Sequence, residues 1–135
     1  MTAIITRPLS DSTDSLLRFA MRADATVCAA AGLLVAMTAD PLSRLTGLSA
    51  TAEWLSGAAL VAYGALLYVL AAVNGLRRIG IVLVIANTAF AAGTTVVLAA
   101  GWLPLTHLGA ALMLAFAAVT AACAWLQYLG VRRLA

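Results

Sequence analysis

Residues 79–100 read IGIVLVIANTAFAAGTTVVLAA, a stretch of 22 positions without a charged side chain. At a rise of about 1.5 Å per residue, a helix of this length spans the hydrocarbon core of a bilayer, which is about 30 Å thick. β-Strands do not explain such a stretch, because barrel strands hold about 10 residues of alternating pattern and lipid does not tolerate open sheet edges. The stretch therefore predicts a transmembrane helix.

Two apolar runs of similar length precede this one and a third follows it, and short breaks separate the four runs. The breaks contain Asp40-Pro41, Asn74-Gly75 and Gly101 to Pro104. Short connections force consecutive helices to run antiparallel. The sequence thus predicts an all-α membrane protein, an up-down-up-down bundle with short loops. We expect a cytoplasmic tail over residues 1–15 and one transmembrane domain over 16–135, with helices at about 16–39, 51–73, 79–100 and 108–130.

Composition supports a membrane protein and excludes several other classes. The chain has 135 residues, of which 64% are hydrophobic and 10% are charged, against about 45–50% and about 25% in soluble domains. So few charges do not cover the large surface of a small water-soluble globule. The net charge is +3, but the basic residues flank apolar runs and form no patch with interleaved aromatics. Nucleic acid is therefore not an expected partner.

The distribution of arginine predicts the orientation of the bundle. Only Arg44 falls on one predicted side. The other side holds Arg7, Arg18, Arg22, Arg77, Arg78, Arg132 and Arg133. Cytoplasmic loops are enriched in positive residues, so we expect both termini in the cytoplasm. A cleaved signal peptide is the alternative for the first run, although Met37 makes a poor cleavage site.

Four polar residues fall at similar predicted depth in four different helices: Asp24, Tyr68, Asn87 and Gln127. Asp24 finds no polar partner among the side chains three or four residues away on its own helix. A charge within the membrane is costly and needs a partner or a function. We therefore predict a polar intramembrane layer. Its role is either hydrogen bonding between helices or the binding of a proton or substrate.

Three polar residues fall on the predicted outer face: Glu53, Arg44 and His107. Glu53 lies in the first turn of the second helix, where a carboxylate favours the helix dipole. We expect it to be exposed and to act as a cap, with a pair to Arg44 or His107 as the alternative. No metal site or cofactor is expected, because His107 has no ligand cluster nearby and Cys28 and Cys123 suit small buried hydrophobes.

Small residues predict where helices approach each other closely. We expect Gly57 and Gly64 on one contact face, and Ala89 and Gly93 on another. Between the first two membrane helices, proline disfavours helix in the residue before it, so Asp40-Pro41 predicts the end of the first helix. Residues 41–50 are expected to lie along the interface as a turn, because leucine recurs there at every third position.

The chain resembles small, uncharacterised four-helix bacterial inner-membrane proteins. The resemblance rests on residues 16–35 around Asp24, on Asp40-Pro41-Leu42 with Gly47-Leu48, on Asn87, and on the ending LQYLGVRR at 126–133. It implies no known activity.

No catalytic signature is present in the sequence. We therefore expect a non-enzymatic accessory or scaffold subunit, or a self-associating bundle, whose partners are the lipid bilayer and other membrane proteins or itself. The alternative is a small transporter or lipid-handling protein that uses Asp24 as a proton-linked or substrate-contacting group. A membrane enzyme is a third, weaker alternative.

Overall fold

The computed structural model describes residues 13–134, and this part of the chain forms five helices and no strand. The helices are α1 (Ser15–Met37), α2 (Ala39–Thr46), α3 (Ala50–Leu70), α4 (Leu76–Ala100) and α5 (His107–Arg132). All but α2 are long and apolar enough to cross a membrane. The chain is thus a multi-pass membrane protein, and the predicted all-α bundle of four antiparallel membrane helices is confirmed. Most of the predicted tail, residues 1–12, lies outside the described residues.

The bundle has two different ends, and arginine marks one of them. One of the three connections that reverse the chain lies at the first end, and the other two lie at the second. The first, here called the arginine-rich end, holds the start of α1, the turn at residues 71–75 and the end of α5. Arg22, Arg77, Arg78, Arg132 and Arg133 are exposed there. The opposite end holds α2, the loop at residues 101–106 and the exposed Arg44.

Arg18 joins α1 to the end of α3. Its Nη1 donates to the carbonyl oxygens of Ala71 at 2.7 Å and Val73 at 3.1 Å. Its Nε and Nη2 donate to the carboxylate of Asp14. The last carbonyls of a helix have no partner within the helix, so the guanidinium supplies donors that the turn after α3 lacks.

The connection after α1 is a helix rather than the expected turn. The backbone leaves helical geometry at Thr38 and resumes at Ala39, so Pro41 stands in the first turn of α2. Helix α1 ends at Met37, close to its predicted end, but Asp40-Pro41 does not keep the following residues out of a helix, because a proline in the first turn removes no helical hydrogen bond. Gly47 then ends α2 with a φ of 89°, a left-handed conformation that favours glycine.

Helix α1 packs closely on both α3 and α5. A Cβ at Gly57 would stand 2.5 Å from the backbone nitrogen of Ala36, and one at Gly64 would stand 2.7 Å from the carbonyl oxygen of Ala25. On the α5 side, a Cβ at Gly130 would lie 2.8 Å from the Cα of Leu17. The predicted contact face at Gly57 and Gly64 is therefore confirmed, and it packs on α1.

Helix α4 packs mainly on α5, whereas the backbones of α3 and α4 barely meet although these helices are consecutive. Side chains fill the space between them near the arginine-rich end. The buried apolar cluster there consists of Leu17, Met21, Ala25, Leu67, Ala71, Leu76 and Leu83. The spatial order of the membrane helices across the bundle is therefore α3, α1, α5 and α4.

Candidate functional site: a buried polar cluster within the bundle

Polar side chains from all four membrane helices meet inside the bundle. We call Asp24, Cys28, Tyr63, Asn87 and Gln127 the Asp24 cluster. Asp24 is 2% exposed, Asn87 is 4% exposed and Gln127 is fully buried. Burial of an unpaired polar group in an apolar setting costs several kcal/mol, so the hydrogen bonds within the cluster decide whether it is tolerated.

One carboxylate oxygen of Asp24 accepts two hydrogen bonds from carboxamides. Asn87 Nδ2 donates to Asp24 Oδ2 at 2.7 Å, and Gln127 Nε2 donates to the same oxygen at 2.8 Å. Because these residues lie on α1, α4 and α5, a single oxygen atom links three helices. The bonds also tie α1 to α4, two helices whose backbones are not close neighbours.

Asn87 extends the network in two directions. Its Nδ2 also donates to Gln127 Oε1 at 3.0 Å, and its Oδ1 accepts from the hydroxyl of Tyr63 at 3.1 Å. The two hydrogens of its amide group thus have separate acceptors, and its carbonyl has a donor from α3. This geometry fixes the direction of the amide, because an exchanged O and N would place like groups together.

The other carboxylate oxygen of Asp24 has a partner on its own helix. The thiol of Cys28 donates to Asp24 Oδ1 at 3.4 Å. Asp24 thus has a partner on α1, contrary to expectation, because Cys28 is a thiol donor as well as a small hydrophobe. The spacing of four residues and the weak donor capacity of a thiol were the available signals.

Asp24 acts as an acceptor in all of these contacts, and no arginine lies within ion-pair distance of it in the part of the chain that the structure describes. Within residues 13–134, every fully buried side-chain nitrogen or oxygen has a hydrogen-bond partner. No group of three His, Cys, Asp or Glu side chains suited to a metal ion occurs there either. The cluster can therefore hold the helices together, and its carboxylate is the group in it that could take up a proton.

Tyr68 lies apart from the Asp24 cluster. It is 46% exposed and its hydroxyl bonds with that of Thr26 on α1. Tyr63 occupies the place expected for Tyr68. Five residues separate the two tyrosines along α3, which corresponds to a rotation of about 140°. Depth along the helix axis suggested Tyr68, but the direction of the side chain around the axis selects Tyr63.

Glu53 is buried rather than exposed, so the expectation of a surface carboxylate is wrong. It is 5% exposed, and its Oε1 accepts a hydrogen bond from the hydroxyl of Thr46. The cap of α3 is Ser49, whose side chain accepts from the amide of Ala52 at 3.1 Å. The physical reason is α2, a helix that covers the start of α3 and brings Thr46 onto Glu53.

Arg44 and His107 remain exposed, and neither forms an ion pair with Glu53 in the described residues. The contacts between α2 and α5 run instead through Thr106, which caps α5. Its amide donates to the carbonyl of Thr46 at 2.8 Å, and its hydroxyl bonds with the carbonyl of Leu45. The outer polar residues are thus split into a buried pair, Thr46 and Glu53, and two exposed side chains.

No protein-family model matches this chain, and neither a curated protein nor a solved structure is significantly similar to it. The resemblance of the sequence to four-helix bacterial inner-membrane proteins therefore stays an expectation.

Proposed function

We propose that this protein is a non-catalytic subunit of a membrane assembly, joined to a second copy or to another membrane protein through the lipid-facing side of α4. The observation that carries the proposal is Gly93. This residue is exposed in the second half of α4, and among the described residues no atom outside its own helix backbone lies within 4 Å of the place where a Cβ would stand. Ala89, one turn earlier, is exposed as well.

Small residues spaced by four allow two membrane helices to approach closely, and such pairs are enriched at helix interfaces. Within the chain, Gly57 and Gly64, seven residues apart on one face of α3, permit a similarly close approach to α1. Ala89 and Gly93 present the same kind of surface, and no helix of the described residues packs on it. A surface of this kind therefore suits a helix from outside the bundle.

The state of the Asp24 cluster supports a non-catalytic role. Its carboxylate, amides and hydroxyl bond to one another, so these groups are engaged in holding α1, α3, α4 and α5 together. An enzyme needs polar groups that converge on a substrate. The polar groups of the Asp24 cluster bond to each other instead.

We place the protein in the plasma membrane of a bacterium, as the resemblance of its sequence implies, and the arginine distribution supports an orientation with both termini in the cytoplasm. Exposed arginines crowd one end of the bundle, and Arg44 lies at the other.

The proposal is tested with Gly93→Leu, and Ala65→Leu on the exposed side of α3 is the matched control. We expect Gly93→Leu to dissociate the assembly isolated in mild detergent, seen by size-exclusion chromatography with light scattering and by the proteins that co-purify. Its thermal stability should stay at or above that of wild type, because leucine favours helix over glycine and the site is open. Ala65→Leu should leave the assembly intact. A Gly93→Leu protein that still assembles would refute the proposal that this surface is the interface.

A second candidate function is transport coupled to protonation of Asp24. It is favoured by a specific observation: a carboxylate at 2% exposure accepts from three donors and has no cationic partner among the described residues. The test is proton flux into liposomes that contain the purified protein and a pH-sensitive dye. Asp24→Asn should abolish the flux if Asp24 carries the proton, whereas no flux in wild type would remove this candidate.

A further inference from the structure

A second surface of α4 faces α5 and forms an open groove of about 750 Å³. Its floor is built from small side chains, among them Ala91 and Thr95 on α4 and Ala118 and Ala121 on α5. This groove lies on a different side of α4 from Ala89 and Gly93, which are absent from its lining. It is therefore separate from the surface used in the proposed function.

The groove changes its chemistry towards the arginine-rich end. There it is lined by Trp125, Tyr128 and Arg132. The rings of Trp125 and Tyr128 lie 5.5 Å apart, and the guanidinium of Arg132 lies 5.8 Å from the centre of the Tyr128 ring. Arg132 is exposed and forms no ion pair among the described residues. The groove is thus apolar over its length, aromatic near its end and cationic at its end.

We propose that this groove binds one anionic phospholipid, with an acyl chain along the alanines and the phosphate at Arg132. The length of the groove and its charge favour this occupant. Arg132 follows Ala121 by 11 residues, about 16 Å of helix, which is about half of a 30 Å hydrocarbon core and so the depth of one leaflet. The charge is also complementary, because arginine binds phosphate well and the aromatic pair lies where tryptophan and tyrosine meet the headgroups.

The proposal is tested by fluorescence quenching of Trp125 in the Trp54→Phe/Trp102→Phe background. Both replaced residues are exposed, so the background should fold. The protein is placed in phosphatidylcholine vesicles that contain brominated phosphatidylglycerol or, for comparison, brominated phosphatidylcholine at the same mole fraction. We expect the anionic lipid to quench with an association constant about fivefold higher, the effect of one arginine near an anionic surface.

Two variants distinguish a site from the general attraction of a basic surface. Arg132→Gln should abolish the preference for phosphatidylglycerol, so that the two lipids bind about equally. Arg133→Gln causes the same change in net charge and should keep the preference. Ala121→Leu should fill the groove and weaken quenching by both lipids.

Three outcomes would overturn the proposal. Equal quenching by the two lipids in the parent protein is the first. The second is an equal loss of preference in Arg132→Gln and Arg133→Gln, which indicates surface charge only. The third is a pair of results: neither lipid quenches Trp125, and Ala121→Leu loses its assembly. This pair would indicate that a helix of another protein occupies the groove. The Gly93→Leu result is independent of all three.

Discussion

Asp24 shows how a bundle accommodates an acidic side chain at membrane depth. An aspartate at the centre of a membrane helix costs about 2.5–3.5 kcal/mol on insertion scales. Interhelical hydrogen bonds in membranes contribute about 0.6 kcal/mol each on average and about 1.7 at most. The interhelical bonds from Asn87 and Gln127 therefore offset part of this cost, and they do so only in the assembled bundle, whereas the bond from Cys28 lies within α1.

Asp24→Asn and Asp24→Ala should differ in their effect on stability. An asparagine keeps one carbonyl oxygen for the amides of Asn87 and Gln127 and turns its own amide towards the weakly accepting sulfur of Cys28. We expect a change within about 0.5 kcal/mol. Alanine removes the acceptor and leaves buried donors unpaired, which costs about 1–3 kcal/mol. Unfolding in mixed micelles with rising SDS measures both.

Equal destabilisation by the two variants would contradict this account, because it would mean that the charge of Asp24 and not its acceptor geometry holds the helices.

The choice between Tyr63 and Tyr68 marks the limit of sequence reasoning at this scale. Counting residues from the end of a run gives depth, and depth brought Asp24, Asn87 and Gln127 to one level. It does not give the direction of a side chain around the helix axis. That direction depends on which face of α3 packs on α1, and Gly57 and Gly64 determine this face by the close contact that they permit.

At the scale of the helix, α1 and α3 depend on glycine for their contact. A Cβ at Gly57 would meet backbone atoms of α1 at 2.5 and 2.6 Å, and backbone atoms do not move aside as a flexible side chain does. Gly93 lies on α4, which does not pack closely on α1 or α3, and a Cβ there would meet no atom of the described residues within 4 Å. The two positions form a matched pair for the same substitution.

Gly57→Ala and Gly93→Ala should change stability in opposite directions. At both sites alanine gains about 0.8–1.0 kcal/mol of helix propensity. At Gly57 the overpacking costs typically about 1–3 kcal/mol, occasionally more, so we expect net destabilisation and separation of α1 from α3. At Gly93 we expect a stabilisation of up to about 1 kcal/mol. Thermal unfolding in one detergent compares the two variants, and a stabilised Gly57→Ala would show that α1 and α3 are less close than described.

At the scale of the whole molecule, the two ends of the bundle differ in charge. The arginine-rich end carries exposed arginines from three segments of the chain, and the opposite end carries Arg44. A seven-to-one distribution of arginine predicts a single orientation with the arginine-rich end in the cytoplasm.

Cysteine labelling of intact cells tests this orientation. Asn74→Cys places a thiol in the turn at the arginine-rich end, and Thr51→Cys places one at the opposite end. Both positions are exposed. A membrane-impermeant maleimide should label Thr51→Cys and should label Asn74→Cys only after the cells are opened. Wild type is the control, because Cys28 and Cys123 are buried. Labelling of Asn74→Cys in intact cells would show that the predicted orientation is wrong.

The sequence by itself determined the class of protein, the four membrane helices and the depth of the polar residues. The reason is that a bilayer imposes length and hydropathy on each helix separately, so these properties are local. Only the tertiary structure decided that Tyr63 and Cys28 join Asp24, that Glu53 is buried under α2, and that α4 leaves Gly93 without a contact. These depend on how the helices are rotated and how closely they approach, and small residues set both by contacts between segments far apart in the chain.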